Sequence, residues 1–384
     1  MRHVLPFRNE GSSTCVKSQL FEEPAATKDG HLMISHFAIK NFRCFRQWDQ
    51  TGLRRFNFIV GESGVGKTAL LEALFLAGGN SAELWFRIRR WRGLGEGPMQ
   101  MNIRENYEAV FRDLFYQHDQ RQKAAITIWD TSEGKREVEI FYENVDVYTL
   151  PIGDSVEKNA FSINPIVFKW DAKNRISRST VELNNGNLRM NVAGDVYPII
   201  LISPRAPSSR EYAQYYSNLH RARKAGSILE ALRSIFDEVE AISIEMVAGE
   251  PVMHVDVNGM NELIPIGDLS GGMEKFMSII VSIVMNRGGA ILIDEIESGF
   301  YYKNTPQLLR SIVTLCEKYD VQLFASTHSY EFLQILSNVM TGAKNGSKDF
   351  CLIRLEKEKG HQPTVTIIPG DSYSAAMHES FEVR

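Results

Sequence analysis

The stretch GESGVGKT has the residue types and spacing of a phosphate-binding loop, because it matches the pattern GxxxxGK[ST]. An apolar run at 56–60 precedes it and a helical pattern begins at Lys67, as such a loop requires. Its glycines and the helix N-terminus can present N–H groups to a phosphate. We expect Lys67 to reach the β- and γ-phosphates and the Thr68 hydroxyl to bind Mg²⁺. The predicted nucleotide-binding residues are Gly61, Glu62, Ser63, Gly64, Val65, Gly66, Lys67 and Thr68.

A second candidate for chemistry is the acidic pair that follows the apolar run at 290–293. Such a run predicts a buried parallel strand, whose carboxyl end faces the ligand crevice of an α/β sheet. Asp294 is then expected to hold Mg²⁺ through water, and Glu295 to polarise the water that attacks the γ-phosphate. Without the phosphate loop, the same acids would be read as a solvated strand end.

A lone histidine, His328, follows closely after another apolar run, at 321–326. A single histidine is usually structural, but His328 falls at the sheet edge where a γ-phosphate would lie. We therefore predict that His328 senses the γ-phosphate and positions the attacking water.

The elements that must hold these residues follow from periodicity. Alternation from Met33 to Phe42 predicts a strand, and the helix after the phosphate loop should end at Gly78-Gly79. A helical stretch is predicted from Ser209 to about Val239, with a break at Gly226. The further predicted strands lie at 125–130, 137–143, 166–170, 197–202 and 350–355, and helices at 305–319 and 330–337.

Composition restricts the class of protein. With 384 residues, 43% of them hydrophobic, the chain can bury a large core. Its net charge of −4 excludes an overall positive electrostatic field, so a nucleic acid would have to bind a local basic patch. The four cysteines are scattered, which argues against a disulfide framework or a zinc site. No run approaches the ~20 apolar residues of a membrane helix. We expect a soluble, cytoplasmic protein without a membrane partner.

The order of these parts, with LSGG at 269–272 between phosphate loop and acidic strand, resembles the ABC-type ATPases. The similarity covers 33–79 and 262–384. Within that superfamily, ISHFAIKNFRCF is similar to the opening of RecF-like proteins, and LIDEIESGFYYKNTPQLLRSI resembles stand-alone OLD-like ATPases. The closest resemblance is to the SMC/RecF/OLD-like branch, as a stand-alone AAA-family ATPase of the anti-phage-defence or DNA-repair type.

The resemblance implies an α/β fold of the P-loop NTPase class, similar to ABC and SMC heads. It would have a mixed sheet core, a β-lobe, and a compact insertion of helices and strands. The implied domains are a polar N-terminal extension at 1–32, an ATPase core at 33–79 and 262–384, and the rest of the β-lobe with an insertion or helical arm at 80–261. The implied activity is hydrolysis of ATP with Mg²⁺.

In such families two heads sandwich ATP, and the signature of one head contacts the nucleotide of the other. Carried over, Ser270, Gly271 and Gly272 would contact the partner's nucleotide, and Arg43 would contact a phosphate or the β-lobe. A serine hydroxyl and free N–H groups at a helix N-terminus suit an anion, but within one chain no phosphate reaches them. The resemblance thus implies a homodimer, leaves a higher oligomer open, and implies a separate effector, a nuclease or a toxin.

The sequence departs from the family pattern in three places. The histidine expected after the acidic strand is replaced by Tyr301 or Tyr302. A glutamine of the family's Q-loop has no clear counterpart, with Gln117 as a candidate. The middle segment lacks long heptads, and no DxD pair follows His328, so neither a long coiled coil nor a nuclease site is expected in this chain.

A basic and aromatic cluster in LWFRIRRWRG could contact DNA phosphates through Arg87, Arg89, Arg90 and Arg92, or be a solvated helix face or a subunit interface. Two other functions stay open at this point. One is a scaffold that binds ATP without hydrolysis and organises an effector, and the other is the ATPase subunit of a transporter.

Overall fold

The computed structural model describes residues 33–94, 104–143, 164–184, 187–192, 194–204, 209–343, 346–357 and 362–378. The predicted extension at 1–32 lies outside these residues. The strands are β1 (Ile34–Phe42), β2 (Phe45–Thr51), β3 (Phe56–Gly61), β4 (Ala124–Asp130), β5 (Gly134–Tyr142), β6 (Ile166–Ala172), β7 (Arg175–Asn184), β8 (Asn187–Met190), β9 (Ile199–Ile202), β10 (Val239–Val247), β11 (Glu250–Val257), β12 (Ile264–Pro265), β13 (Ala290–Ile293), β14 (Gln322–Ser326), β15 (Phe350–Glu356) and β16 (Thr364–Pro369). The helices are α1 (Lys67–Gly78), α2 (Glu83–Trp91), α3 (Arg104–Phe111), α4 (Ser209–Arg221), α5 (Gly226–Arg233), α6 (Ile266–Leu269), α7 (Gly271–Met285), α8 (Thr305–Tyr319), α9 (Tyr330–Thr341) and α10 (Gly370–His378).

The central sheet has the order β16-β15-β3-β14-β13-β9. Its neighbours are parallel except for β16, which pairs antiparallel with β15 at the edge. The strand that leads into the phosphate loop, β3, therefore lies one strand away from the acidic strand β13, with β14 between them. Since the carboxyl ends of parallel strands share one edge, all three motifs emerge together. The predicted α/β architecture of a P-loop NTPase is confirmed.

A seven-stranded antiparallel sheet, β2-β1-β4-β5-β6-β7-β8, forms the β-lobe. The strand predicted from Met33 is β1, which pairs with both β2 and β4. The segment 33–79 thus contributes strands to two sheets, and β9 of the segment 80–261 joins the central sheet. The domain boundaries drawn from the sequence stay a prediction. A third, three-stranded sheet, β10-β11-β12, is antiparallel.

The central sheet divides the buried apolar residues into two cores. Ile59 of β3 belongs to the core that contains α1 and the β-lobe, whereas the adjacent Phe58 belongs to the core with α7, α8 and α9. This alternation explains why β3, β13 and β14 are almost continuously apolar, because both faces of these strands are covered. Within the described residues, no helix has the length and apolar character needed to cross a membrane.

One helix prediction was right about its start and its break near Gly226 and wrong about its end. The helix expected from Ser209 to about Val239 ends at Arg221, resumes at Gly226 and ends again at Arg233. The left-handed backbone of Arg223 (φ 57°) breaks the first helix, three residues before the predicted break. Val239 begins β10, which pairs with the next strand, β11, as an antiparallel hairpin instead of continuing a helix. Helical periodicity could not reveal this competition from another strand.

Candidate functional site

The phosphate loop connects β3 to α1 and leaves no room for side chains at two of its glycines. A Cβ atom on Gly61 would lie 2.3 Å from the carbonyl oxygen of Leu355 on the neighbouring strand. A Cβ atom on Gly66 would lie 2.6 Å from Sγ of Cys44, and its backbone is left-handed (φ 119°). The loop therefore packs backbone against its surroundings and exposes its outer residues, including Glu62 and Ser63. This is the shape that lets N–H groups approach a phosphate.

Lys67 lies at the start of α1, with its ammonium group over the loop. Its Nζ donates hydrogen bonds to the carbonyl oxygens of Gly61 (2.7 Å) and Glu62 (2.9 Å). Burial lowers the pKa of Lys67, while the nearby carboxylates, first of all Asp294 and Glu295, oppose this shift. The two carbonyl contacts hold the cation at the position where the sequence predicted a phosphate contact.

The Thr68 hydroxyl and the Asp294 carboxylate meet at the sheet edge. Thr68 Oγ1 donates to Asp294 Oδ2 at 2.9 Å, and the other carboxylate oxygen accepts from the hydroxyl of Ser326 at 2.5 Å. Asp294 is almost fully buried, so both of its oxygens have a fixed direction. A hydroxyl and a carboxylate are hard oxygen ligands of the kind Mg²⁺ takes beside nucleotide phosphates. The oxygen ligands present at this point thus fit the predicted Mg²⁺, which Thr68 would bind directly and Asp294 through water.

Glu295 has an unusual backbone for a residue with a side chain, because its φ of 49° is left-handed. Both ends of the residue are fixed by side chains from other elements. Its N–H donates to Ser326 Oγ at 2.8 Å, and its carbonyl oxygen accepts from Nζ of Lys275 at 2.6 Å. The backbone contacts therefore fix the direction in which the half-buried side chain of Glu295 leaves the strand end. Such strained positions concentrate at functional sites.

His328 is held by a carboxylate that the sequence reasoning did not assign. Glu297 Oε1 accepts a hydrogen bond from the backbone N–H of His328 (2.9 Å) and lies 3.0 Å from its ring Nδ1. The histidine ring is mostly exposed, whereas Glu297 is largely buried. The ring is thus fixed at its Nδ1 side and presents its other nitrogen outwards.

The LSGG stretch opens helix α7. Ser270 is its N-cap, and the serine Oγ accepts from the N–H of Met273 at 3.0 Å. Ser270 and Gly271 are exposed, whereas Gly272 is buried. A Cβ atom on Gly272 would lie 2.5 Å from the carbonyl oxygen of Gly299. The first turn of α7 therefore faces solvent on one side and, on the other, packs closely against the segment after the acidic strand.

Arg43 is not directed at the phosphate loop. Its Nε forms an ion pair with Glu72 of α1 at 2.7 Å, and its guanidinium lies 4.8 Å from the ring of Trp85. Arg92 forms two hydrogen bonds to the same buried Glu72. Burial lowers the pKa of Arg43, and Glu72 is the main charge that opposes this shift. Within one chain, Arg43 thus joins the β-lobe to α1.

The basic cluster of α2 is only partly a solvated face. Arg92 is exposed but bonds to the buried Glu72, and Arg89 donates to the carbonyl oxygen of Val110. Arg87 lies over the ring of Trp91, and Arg90 is exposed. A DNA contact through all four arginines stays a prediction. Gln117, the candidate Q-loop residue, is exposed with a left-handed backbone (φ 52°).

The structure brings together the phosphate loop, Asp294, Glu295 and the strand that ends before His328. The guanidinium of Arg43 instead pairs with Glu72.

The sequence did not predict three residues that contact this site, Ser326, Glu297 and Lys275. Ser326 lies within the STHS stretch that drew attention to His328, and Glu297 is the third acid of DEIE. The signal for Lys275 was a lone cation in the apolar run of α7.

With this geometry established, comparison with known proteins gives a family. Residues 56–334, well over half of the chain, match the family described as "AAA domain, putative AbiEii toxin, Type IV TA system". The chain belongs to this family. As an AAA domain it is an ATPase, which confirms both the activity and the resemblance to an AAA-family ATPase predicted from the sequence.

Relatives of this AAA domain are distant in sequence. It is 21% identical over 397 residues to a protein of Helicobacter pylori (strain ATCC 700392 / 26695) called ATP/GTP phosphatase, a match that covers 91% of this chain and 98% of that protein. Among solved structures, it is similar to an Smc head domain from Pyrococcus furiosus, bound to the C-terminal domain of ScpA, with 13% identity, a TM-score of 0.47, and 91% and 99% coverage. The SMC head domain from Thermotoga maritima gives 14% identity, a TM-score of 0.39, and 88% and 98% coverage.

Proposed function

We propose that this ATPase is a Mg²⁺-dependent switch in which two copies of the chain enclose ATP between them. The observation that carries the proposal is the hydrogen bond between Thr68 and Asp294 at the start of α1, with Glu295 adjacent to it. This arrangement places a hydroxyl, a buried carboxylate and a second, half-buried carboxylate beside a phosphate loop. These are the parts that phosphoryl transfer to water needs.

The loop residues bind and orient the nucleotide. Lys67 gives up its contacts to the carbonyl oxygens of Gly61 and Glu62 and donates to phosphate oxygens instead. Thr68 and Asp294 would hold Mg²⁺, which would supply positive charge to neutralise the phosphates. Ser326 keeps the Asp294 carboxylate in place by its hydrogen bond, so that this carboxylate need not reorganise during the reaction.

Glu295 accepts the proton of the attacking water, and its held backbone fixes the point from which the side chain reaches the water. His328, fixed through Glu297, contacts the γ-phosphate and orients the water. The fixed left-handed conformation of Glu295 and the two contacts from Glu297 to His328 support these roles. Both side chains leave neighbouring parallel strands at the edge where β3 delivers the loop.

The second copy enters through the first turn of α7. Ser270 and Gly271 are exposed at a helix N-terminus, where free N–H groups and the helix dipole attract anions. In the enclosed state this turn contacts the γ-phosphate held by the other copy. ATP then joins the two chains, and hydrolysis releases them.

The switch controls a separate effector, a nuclease or a toxin, in defence against phage. The family description, which names a putative toxin of a type IV toxin–antitoxin system, supports a defence setting. A role in DNA repair would use the same switch, with DNA meeting the exposed Arg90 of α2. Mass spectrometry of protein and nucleic acid that co-purify with the ATP-bound switch from its host distinguishes the two.

The decisive experiment uses Glu295→Gln, which keeps the size of the side chain and removes the base. We expect wild type to release phosphate from ATP with Mg²⁺, and the variant to do so at least ~100-fold more slowly. The variant should bind ATP and become a dimer in light scattering. If it binds ATP and stays a monomer, the enclosure by two copies is wrong.

A matched pair of variants at Ser270 tests whether the first turn of α7 contacts the nucleotide of the other copy. Ser270→Asn and Ser270→Asp both keep an N-cap oxygen for Met273, since Asn and Asp are good caps. Only Asp adds a negative charge that would face the phosphate of the other copy. In the Glu295→Gln background, Asp should abolish the ATP-dependent dimer and Asn should retain much of it. Equal dimerisation of both would exclude this surface.

A further inference from the structure

The segment 295–300, which follows β13, is tied to helix α7 by a buried lysine, Lys275. Lys275 lies on the first turns of α7 and is only 7% exposed. Its Nζ donates to the carbonyl oxygen of Glu295 at 2.6 Å and to that of Ser298 at 3.0 Å. The ammonium also lies 5.8 Å from the ring of Phe300. All three contacts fall on the segment 295–300.

A buried ammonium is costly unless it is compensated, so its position needs an explanation. Burial lowers the pKa of Lys275 to about 8, while Glu297, Glu295 and Asp294 oppose this shift. A methionine or leucine would fit an apolar helix at lower cost. The lysine instead directs its charge to the carbonyl of Glu295, a residue that has a side chain and yet a left-handed backbone.

We propose that Lys275 is a positioning residue, which holds Glu295 in its reactive orientation and couples it to the first turn of α7. The backbone of Glu295 is held at the N–H by Ser326 and at the carbonyl by Lys275. The N–H of Ser298 also reaches this carbonyl, at 2.9 Å, but it belongs to the same turn and cannot link the turn to another element. At this carbonyl, the hydrogen bond from Lys275 makes the link to another element, α7.

The same turn of α7 carries the surface that the second copy would contact. Ser270 faces outwards, Gly272 packs against the carbonyl of Gly299, and Lys275 reaches over the same segment. A displacement of this turn on closure would therefore move the segment 295–300 with it. This coupling rests on the proposed role of Glu295 and on the proposed dimer, whereas the contacts of Lys275 do not.

The test compares Lys275→Met with Lys303→Met, the same substitution at an exposed lysine on the chain just after this segment. In Lys275→Met, the Glu295 carbonyl retains its contact with Ser298, and an apolar side chain suits the buried position, so the variant should fold. We expect its kcat to fall by about 10- to 100-fold with an ATP dissociation constant within about twofold of wild type. Lys303→Met should have the wild-type kcat.

Two further variants separate positioning from general stability. Lys275→Arg, which keeps a cationic donor, should retain more activity than Lys275→Met at equal stability. In Lys275→Ala, added ethylamine should restore part of kcat, because it can supply the missing ammonium to the same carbonyls. A Lys275→Met enzyme with wild-type kcat overturns the proposal. A loss of activity that accompanies loss of ATP affinity and thermal stability, and that neither Lys275→Arg nor ethylamine restores, also overturns it.

The outcome is distinguishable from failure of the proposed function. If Glu295→Gln hydrolyses ATP normally, the proposed base is wrong whatever Lys275→Met does. If Glu295→Gln is inactive and Lys275→Met is normal, the function stands and the positioning role falls. A slow Lys275→Met enzyme that forms the ATP-dependent dimer supports both the proposed function and the positioning role. In that enzyme the two copies have closed around ATP, but hydrolysis remains slow.

Discussion

Thr68 and Asp294 are separated by 226 positions in the sequence, yet Thr68 Oγ1 donates a 2.9 Å hydrogen bond to Asp294 Oδ2. The contact reaches across the end of one strand, because β14 lies between β3, which precedes Thr68, and β13, which precedes Asp294. Ser326 at the end of β14 completes the row by binding the other oxygen of Asp294. Side chains from α1 and β14 thus both bind the carboxylate of Asp294, which follows β13, so this carboxylate lies at the centre of the site.

Removal of the Thr68 hydroxyl tests this contact as part of a Mg²⁺ site. Thr68→Val keeps the shape of the side chain and removes the oxygen, whereas Thr68→Ser keeps the oxygen. We expect Thr68→Val to lose several kcal/mol of transition-state stabilisation, which is a fall of about 100-fold or more in kcat. Thr68→Ser should remain close to wild type. Phosphate release measured over a Mg²⁺ titration checks both, and equal activity of the two variants would contradict the assignment.

The two contacts from Glu297 to His328 predict that these residues act as a unit. Glu297→Ala and His328→Ala should each lower kcat, by about 10- to 100-fold, with a smaller effect on the KM for ATP. The double variant should be little worse than either single one, because both remove the same oriented ring. A double-mutant cycle in kcat measures this. Additive losses would show that Glu297 and His328 act independently.

The pairing of Glu72 with two arginines predicts a large effect on stability. Glu72 is 2% exposed and binds Arg43 and Arg92. Glu72→Gln leaves the buried guanidinium of Arg43 without its counter-charge, so the free energy of unfolding should fall by about 3–5 kcal/mol. The surface pair of the half-buried Glu133 and the exposed Lys173 provides a control, for which Glu133→Gln should cost about 1 kcal/mol or less. Urea denaturation of both compares them, and equal costs would be inconsistent with a buried ion pair.

Lys275 predicts a specific dependence of stability on pH. Its pKa in the folded chain is about 8, below the ordinary value of 10.5, because burial disfavours the charge. Between these values the unfolded chain binds more protons at this site than the folded chain, so the free energy of unfolding rises with pH. This gain is complete above the ordinary pKa and is lost as the pH falls through about 8.

Lys275→Met has no such group, so wild type should gain stability relative to the variant as the pH rises. From about pH 7 to about pH 9.5 the gain should be on the order of 2 kcal/mol. Urea midpoints of the two proteins at both pH values measure it, with Lys303→Met as a control for removal of a lysine in general. A difference that does not change with pH would mean that Lys275 titrates as if it were in water.

The sequence by itself determined the parts of the site that are local patterns. An apolar strand, a glycine loop and a helix form one contiguous unit, so GESGVGKT identified the phosphate loop without any tertiary contact. The apolar runs before Asp294 and His328 likewise predicted two buried parallel strands. Because parallel strands of one sheet share a carboxyl edge, these local facts were enough to predict that the motifs meet.

Only the tertiary structure decided what each side chain contacts. Ser326 and Lys275 matter through hydrogen bonds to Asp294 and to the backbone of Glu295, and no spacing in the chain encodes either. Arg43 follows the same rule, because its environment consists of Glu72 and Trp85 on two helices distant from its own turn. Periodicity reports which face of an element is buried. The partner on that face depends on how the sheets and helices pack, and that is a property of the folded chain.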